Sequence, residues 1–254
     1  MSERLFGLML EAGLLEQQSG LWRSKVRFST LNGDLFMHSA FPTTAKDAVF
    51  FGPDTYKFAD AISLWLAGRE QPIHRAADVC AGAGPGGITI AKAFPAAEVL
   101  MLDINPAAVQ FATVNAQVAG LANAFAVESN LFSNTAGGFD LIVAHPPYLV
   151  DEGARAYRHG GGPLGAGLAL DILRASIDRL SPKGTLLLFT GAAIVEECDP
   201  FLKAASEILD KAGLDMTYRE LDPDVFGEEL AREPYQQTDR IALVVLTATK
   251  KTFS

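Results

Sequence analysis

Two short stretches hold residues whose types and spacing could do chemistry. The first is Asp78-Val79-Cys80-Ala81-Gly82-Ala83-Gly84-Pro85-Gly86-Gly87. Glycines here let the backbone turn tightly and approach a ligand beside a helix N-terminus. Gly82, Gly84 and Gly87 have the G-x-G-x-x-G spacing of dinucleotide sites. Asp103 follows Gly84 by 19 residues, where an acid can bond ribose hydroxyls. The pair points to a nucleoside-containing cofactor without saying which one. The second stretch is an apolar run, Leu141-Ile142-Val143-Ala144, that ends in His145-Pro146-Pro147-Tyr148. Consecutive prolines are stiff and lack N–H groups, so their carbonyls are free to act as acceptors. Tyr148 could stack on a flat substrate group. His145 could accept a hydrogen bond or take a proton.

The surrounding pattern positions both stretches at strand ends. Residues 76–82, 98–104, 124–128, 139–145 and 184–191 read as strands, separated by helical patterns. Asn105-Pro106 and Asp199-Pro200 are cap-plus-first-turn signals, and the helices they open end near Gly120 and Gly213. The helix over 164–180 is stopped by Ser181-Pro182-Lys183-Gly184. Strands 214–221 and 239–249 lack a clear helix between them, which predicts an antiparallel edge. Alternating strands and helices imply a doubly wound, mostly parallel α/β sheet, and ligands of such sheets sit at the carboxyl ends of strands. Before it, residues 1–70 read as a small α+β segment. Its helix covers 3–16, its hairpin turns at Asn32-Gly33, and its second helix is capped by Asp54 and ends at Gly68. The binding domain is then 71–254.

The chain carries 21 Lys and Arg against 30 Asp and Glu, a net charge of −9, most of it after residue 70. Such a surface disfavours free nucleic acid and anionic membranes. Arg23, Lys25 and Arg27 alternate and so would share one strand face. Two cysteines form no disulfide framework, and no apolar run spans a membrane, so a cytoplasmic protein is expected. No compact metal-ligand spacing is present, and no metal is expected. The polar stretch 151–169 follows the second chemical segment directly. It reads as a substrate-closing loop, with Tyr157, Arg158 or His159 reaching substrate.

Over residues 50–190 the chain resembles the class I S-adenosylmethionine-dependent methyltransferases. The likeness is to the branch with an Asn/Asp-Pro-Pro-Tyr motif, which includes release-factor glutamine, N6-adenine and ribosomal RNA guanine methyltransferases. Asp78, Gly82 and Gly84 fall on the family's glycine motif, and Asp103 falls on its ribose-binding acid. Asn130-Leu131-Phe132 falls on the Asp-Leu-Phe that contacts adenine. Residues 51–55, ending in Thr55, resemble the Pro-Glu-Thr segment bordering the cofactor pocket. The resemblance implies S-adenosyl-L-methionine as cofactor, held by Asp78, Gly82, Gly84, Asp103, Ile104, Asn130, Leu131 and Thr55. It implies His145, Pro146 and Tyr148 as the catalytic residues.

The chain departs from the family at three places. Cys80 stands on a Gly position, to be absorbed by a modest backbone adjustment, and Asn130 stands on an Asp position. His145 replaces the Asn or Asp that, with the first proline carbonyl, accepts two hydrogen bonds from a planar NH2. The expected reaction is methyl transfer to a nitrogen of a protein side chain or small metabolite. Alternatives are methylation of an RNA base, base-assisted O-methylation, an NAD(P)-dependent oxidoreductase built on the glycine turn, or a binding module without turnover. If His145 must be unprotonated, the rate should rise with pH through the ordinary histidine range, about 6–7.

Overall fold

The structure, a computed structural model, describes residues 2–69 and 71–251. It opens with helix α1 (Glu3–Glu11), which stops before Gly13, a residue in the left-handed region at φ 66°. The expected helix over 3–16 is thus too long: Leu15 begins strand β1 (Leu15–Gln18), paired with β2 (Leu21–Ser24). Ser19 and Gly20 both take positive φ and form the two-residue turn between them, which sequence reading missed. Strands β3 (Val26–Leu31) and β4 (Asp34–Ser39) form the expected hairpin, with Asn32 and Gly33 at φ 50° and 86°. The shared basic face is corrected too. Arg23 lies on β2 and Arg27 on β3, in separate sheets, and Arg23 donates to the Phe41 carbonyl at 2.9 Å.

Helix α2 (Pro53–Ala67) is capped at Gly52, not at Asp54. Proline's fixed φ suits the first helical position, so Pro53 opens the helix and the cap falls two residues earlier than expected, at Gly52. The Gly52 N–H donates to the Thr55 hydroxyl at 3.2 Å. Asp54, relieved of capping, sits in the first turn and is buried.

The sheet then assembles from β5 (Arg75–Val79), β6 (Glu98–Asp103), β7 (Ala124–Glu128), β8 (Phe139–Ala144), β9 (Leu180–Ile194), β10 (Leu214–Asp222) and β11 (Arg240–Lys250). Its helices are α3 (Pro85–Ala93), α4 (Pro106–Val118), α5 (Gly167–Arg179) and α6 (Pro200–Ala212). Strand order is β10-β11-β9-β8-β5-β6-β7, and only β11 runs against its neighbours. The reversed strand therefore lies one place in from the edge. Residues 181–184 end helix α5 as expected but belong to β9. The pairing of β8 with β9 jumps there, from Phe139–Leu180 to Leu141–Thr185, around Lys183 at φ 64°.

Phe139, Leu141, Ile142, Val143 and Ala144 are all fully buried. Helices cover both faces of the sheet, so its central strands are continuously apolar. From β5 the strand order runs one way through β6 and β7 and the other way from β8, so the switch point lies between β5 and β8. Val79 pairs with Ala144 across it, which brings the glycine turn and His145 to the same crevice. Asn115 on α4 ties the first hairpin to this crevice. It accepts from the Met37 N–H at 2.8 Å and donates to the Ala83 carbonyl at 2.9 Å.

Candidate active site

The glycine turn is held from below by two carboxylates. Asp78 accepts from the Gly87 N–H at 2.7 Å, and Asp103 accepts from the Gly82 N–H at 2.8 Å and the Asn105 N–H at 2.9 Å. Burial pushes the Asp78 carboxyl up to about 7, opposed by the Gly87 N–H. Its second oxygen is buried with no partner among the described residues. Burial also raises Asp103, opposed by the N–H groups it accepts from. Glycine is favoured at 84 by its φ of 84° and at 87 by space. A Cβ would come within 2.9 Å and 2.4 Å of Met101, on the strand beneath. Cys80, on the family's Gly position, takes φ 60°, in the left-handed region that favours glycine.

His145 sits among aromatic rings. Its centroid lies 4.7 Å from Phe189, 5.3 Å from Phe58 and 6.1 Å from Tyr148. Burial among them lowers its pKa to about 4, so the imidazole is neutral at physiological pH. Neither ring nitrogen has a hydrogen-bond partner among the described residues. The Pro146 carbonyl likewise accepts no backbone hydrogen bond there. The Tyr148 ring lies directly on Gly191, where a Cβ would come within 2.2 Å of it. Its hydroxyl donates to Asp54. Burial and the neighbouring Asp54 charge hold the phenol well above its usual range.

These groups open onto one cavity of about 440 Å³. Gly82, Asp103, Ile104, Thr55, His145, Pro146 and Tyr148 line it. Asp78 and Gly84 lie outside that lining, supporting the turn. Asn130 and Leu131 also stand outside it; Asn130 is exposed, and Leu131 takes φ 51°. Sequence reading missed two walls. One is residues 41–44 and 48–50, which carry no periodic signal. The other is Phe58, whose spacing from Asp54, one helical turn, was the available clue. Residues 155–158 form part of the lining, as the loop reading anticipated, but His159 does not. The loop is pinned: the Tyr157 hydroxyl donates to the Thr43 carbonyl at 2.7 Å, Arg155 and Arg158 pair with Asp151, and Arg158 also pairs with Glu229. Arg155 holds Asp151 down to about 2. The Val150 N–H donates to the Tyr235 hydroxyl at 2.9 Å. Among the described residues no cluster of His, Cys, Asp and Glu is placed to hold a metal, and no helix is long and apolar enough to cross a membrane.

Asp103 beside the glycine turn suits the ribose of a nucleoside. Asp103 and the exposed Ile104 border one region of the cavity wall, and the glycine turn has no Cβ at Gly82 to fill it.

Comparison with known proteins agrees. A ribosomal protein uL3 glutamine methyltransferase of Neisseria gonorrhoeae is 31% identical over 143 residues, covering 52% of this chain and 48% of that protein. A release factor glutamine methyltransferase of Deinococcus radiodurans is 36% identical over 129 residues, covering 47% and 45%. The chain spans about half the length of the curated relatives it matches. Among solved structures, M. jannaschii TYW2 in complex with AdoMet superposes with a TM-score of 0.61 at 14% identity, over 91% of this chain and 88% of that one, a likeness of fold. The methyltransferase small domain model matches residues 64–203, more than half of the chain and all of the segment that carries the glycine turn, Asp103 and His145. By that match this chain belongs to the methyltransferase small domain family.

Proposed function

We propose that the chain transfers a methyl group from S-adenosylmethionine to a side-chain nitrogen of a protein, with a glutamine amide as acceptor. The named relatives act on glutamine in ribosomal protein uL3 and in a release factor, and the family membership supports the reaction class over an oxidoreductase. Bound S-adenosylmethionine supplies an electrophilic methyl group. Asp103 and the Gly82 turn would hold its ribose, with Ile104 and Thr55 on the cavity wall beside them. The chain's own task is to position the acceptor, because in-line transfer needs little acid-base help.

The observation that carries this reading is the placement of His145 and the Pro146 carbonyl side by side on the cavity wall, without hydrogen-bond partners among the described residues. A neutral imidazole has one acceptor nitrogen, which is what an Asn side chain supplies at this motif position. With the Pro146 carbonyl, it gives the two acceptors that an amide NH2 needs. A base for hydroxyl methylation would have to take a proton at neutral pH, and burial disfavours that for this ring. The test is incubation of the purified chain with S-adenosylmethionine and a glutamine-containing peptide, the product mapped by mass spectrometry. The expected product carries its methyl on the glutamine side-chain nitrogen. Modification of a Ser, Thr or Tyr hydroxyl instead would refute the reading.

A further inference from the structure

We propose that Asp54 is a positioning residue: its carboxylate fixes the Tyr148 ring as a wall of the acceptor site beside His145. The inference rests on the reaction read above and extends it to a residue outside the tetrapeptide.

The argument begins at the start of α2. Because Gly52 and Thr55 handle the cap between them, the Asp54 carboxylate is not used by the helix terminus. It turns inward instead, is buried, and lines the cavity. Four residues on, Phe58 projects from the same helix face. The two side chains reach the two polar members of the His145–Tyr148 segment: Asp54 accepts from the Tyr148 hydroxyl, and Phe58 packs on the His145 ring. One helix thus braces both.

Tyr148 is restrained on its other sides as well. Gly191 leaves room for the ring to lie on β9, Phe226 meets it edge-on at 6.0 Å, and the His145 ring lies 6.1 Å away at an interplanar angle of 20°. Apolar packing alone lets a tyrosine ring slide or tilt. A hydroxyl held by a buried carboxylate fixes the far end of the ring, since hydrogen bonds to charged groups are short and strong. A small misplacement of a group that orients an acceptor can cost about 10²-fold in rate.

The test uses the full chain and needs no acceptor in its first arm. The sequence contains four histidines, so the ring Cε1–H signals in a proton–carbon correlation spectrum are few, and His145→Asn assigns the one in question. Ring currents from Phe189, Phe58 and Tyr148 together set that signal, so a displaced phenol moves it. Asp54→Ala and Tyr148→Phe should each move the His145 signal while the other three histidines keep their positions, which shows that the fold is intact. The double variant should move it no further than either single variant. Asp54→Asn, whose amide oxygen can still accept from the phenol, should move it less than Asp54→Ala. A His145 signal unmoved by Asp54→Ala, or shifts that add in the double variant, would overturn the proposal. The second arm measures methyl transfer to the glutamine peptide, where Asp54→Ala should lose about 10²-fold in turnover and Asp54→Asn clearly less. If the wild-type chain methylates no peptide, the functional reading fails, and the spectral arm still decides the role of Asp54.

Discussion

At the scale of the residue, the proposed reaction turns on His145. Its type and its place after an apolar strand were visible in the sequence, and so was its departure from the Asn/Asp of the family it resembles. Its protonation was not visible, because that depends on Phe58 and Phe189, which come from α2 and β9 far away in sequence. An ordinary histidine would make the rate climb with pH through about 6–7. Burial moves the ionisation down to about 4. In the proposed reaction the neutral form is the one that accepts, so the rate should rise only as pH passes through that value and stay level between about pH 6 and 8. His145→Ala should lower turnover across this whole range without changing the shape of the profile, and His145→Asn should retain more activity than His145→Ala. A steady-state pH profile of the three proteins checks this. An inflection near 6–7 that disappears in His145→Asn would show a base instead. Cys80 teaches a related lesson: the sequence shows a non-glycine residue on a glycine position, but only the backbone shows that it takes positive φ.

At the scale of the element, the sheet core was legible because its signals are local and redundant. Each of β5, β6 and β8 is a buried apolar run, and Asn105-Pro106 and Asp199-Pro200 mark helix starts by their own chemistry. The errors fall where two local signals compete. Leu15 fits a helical stripe but lies beyond Gly13, and Asp54 fits a cap but follows a proline. Long-range fits were not legible at all, and Gly191 is the clearest case. Nothing in residues 184–191 says that the Tyr148 ring needs the space where a Cβ would be. Gly191→Ala should therefore push the ring off β9 and destabilise the fold by roughly 1–3 kcal/mol, the usual cost of overpacking. Urea unfolding of the variant beside the wild type measures it. An unchanged midpoint would mean that the ring has free room to move, contrary to the packing described here.

At the scale of the whole molecule, the site is a joint product of the sheet and the segment before it. The glycine turn, Asp103 and His145 come from the ends of β5, β6 and β8, but residues 41–44 and 48–50, with α2, also line the cavity. The first hairpin is tied to the glycine turn through Asn115. That lead-in was legible as an α+β segment, and Thr55 as a pocket residue through the family resemblance, but the share of residues 41–44 and 48–50 was not, since residues 40–50 follow no period. The net charge of −9 disfavours a phosphate backbone, and Arg23 and Arg27 lie in separate sheets rather than on one strand face. A protein acceptor fits that surface better than naked RNA. The most direct test is to incubate the chain with methyl-labelled S-adenosylmethionine and an extract of bacterial cells, then separate protein, RNA and small molecules. The account predicts label in protein, lost in His145→Ala. Label in RNA, falling steeply as salt is raised, would contradict it.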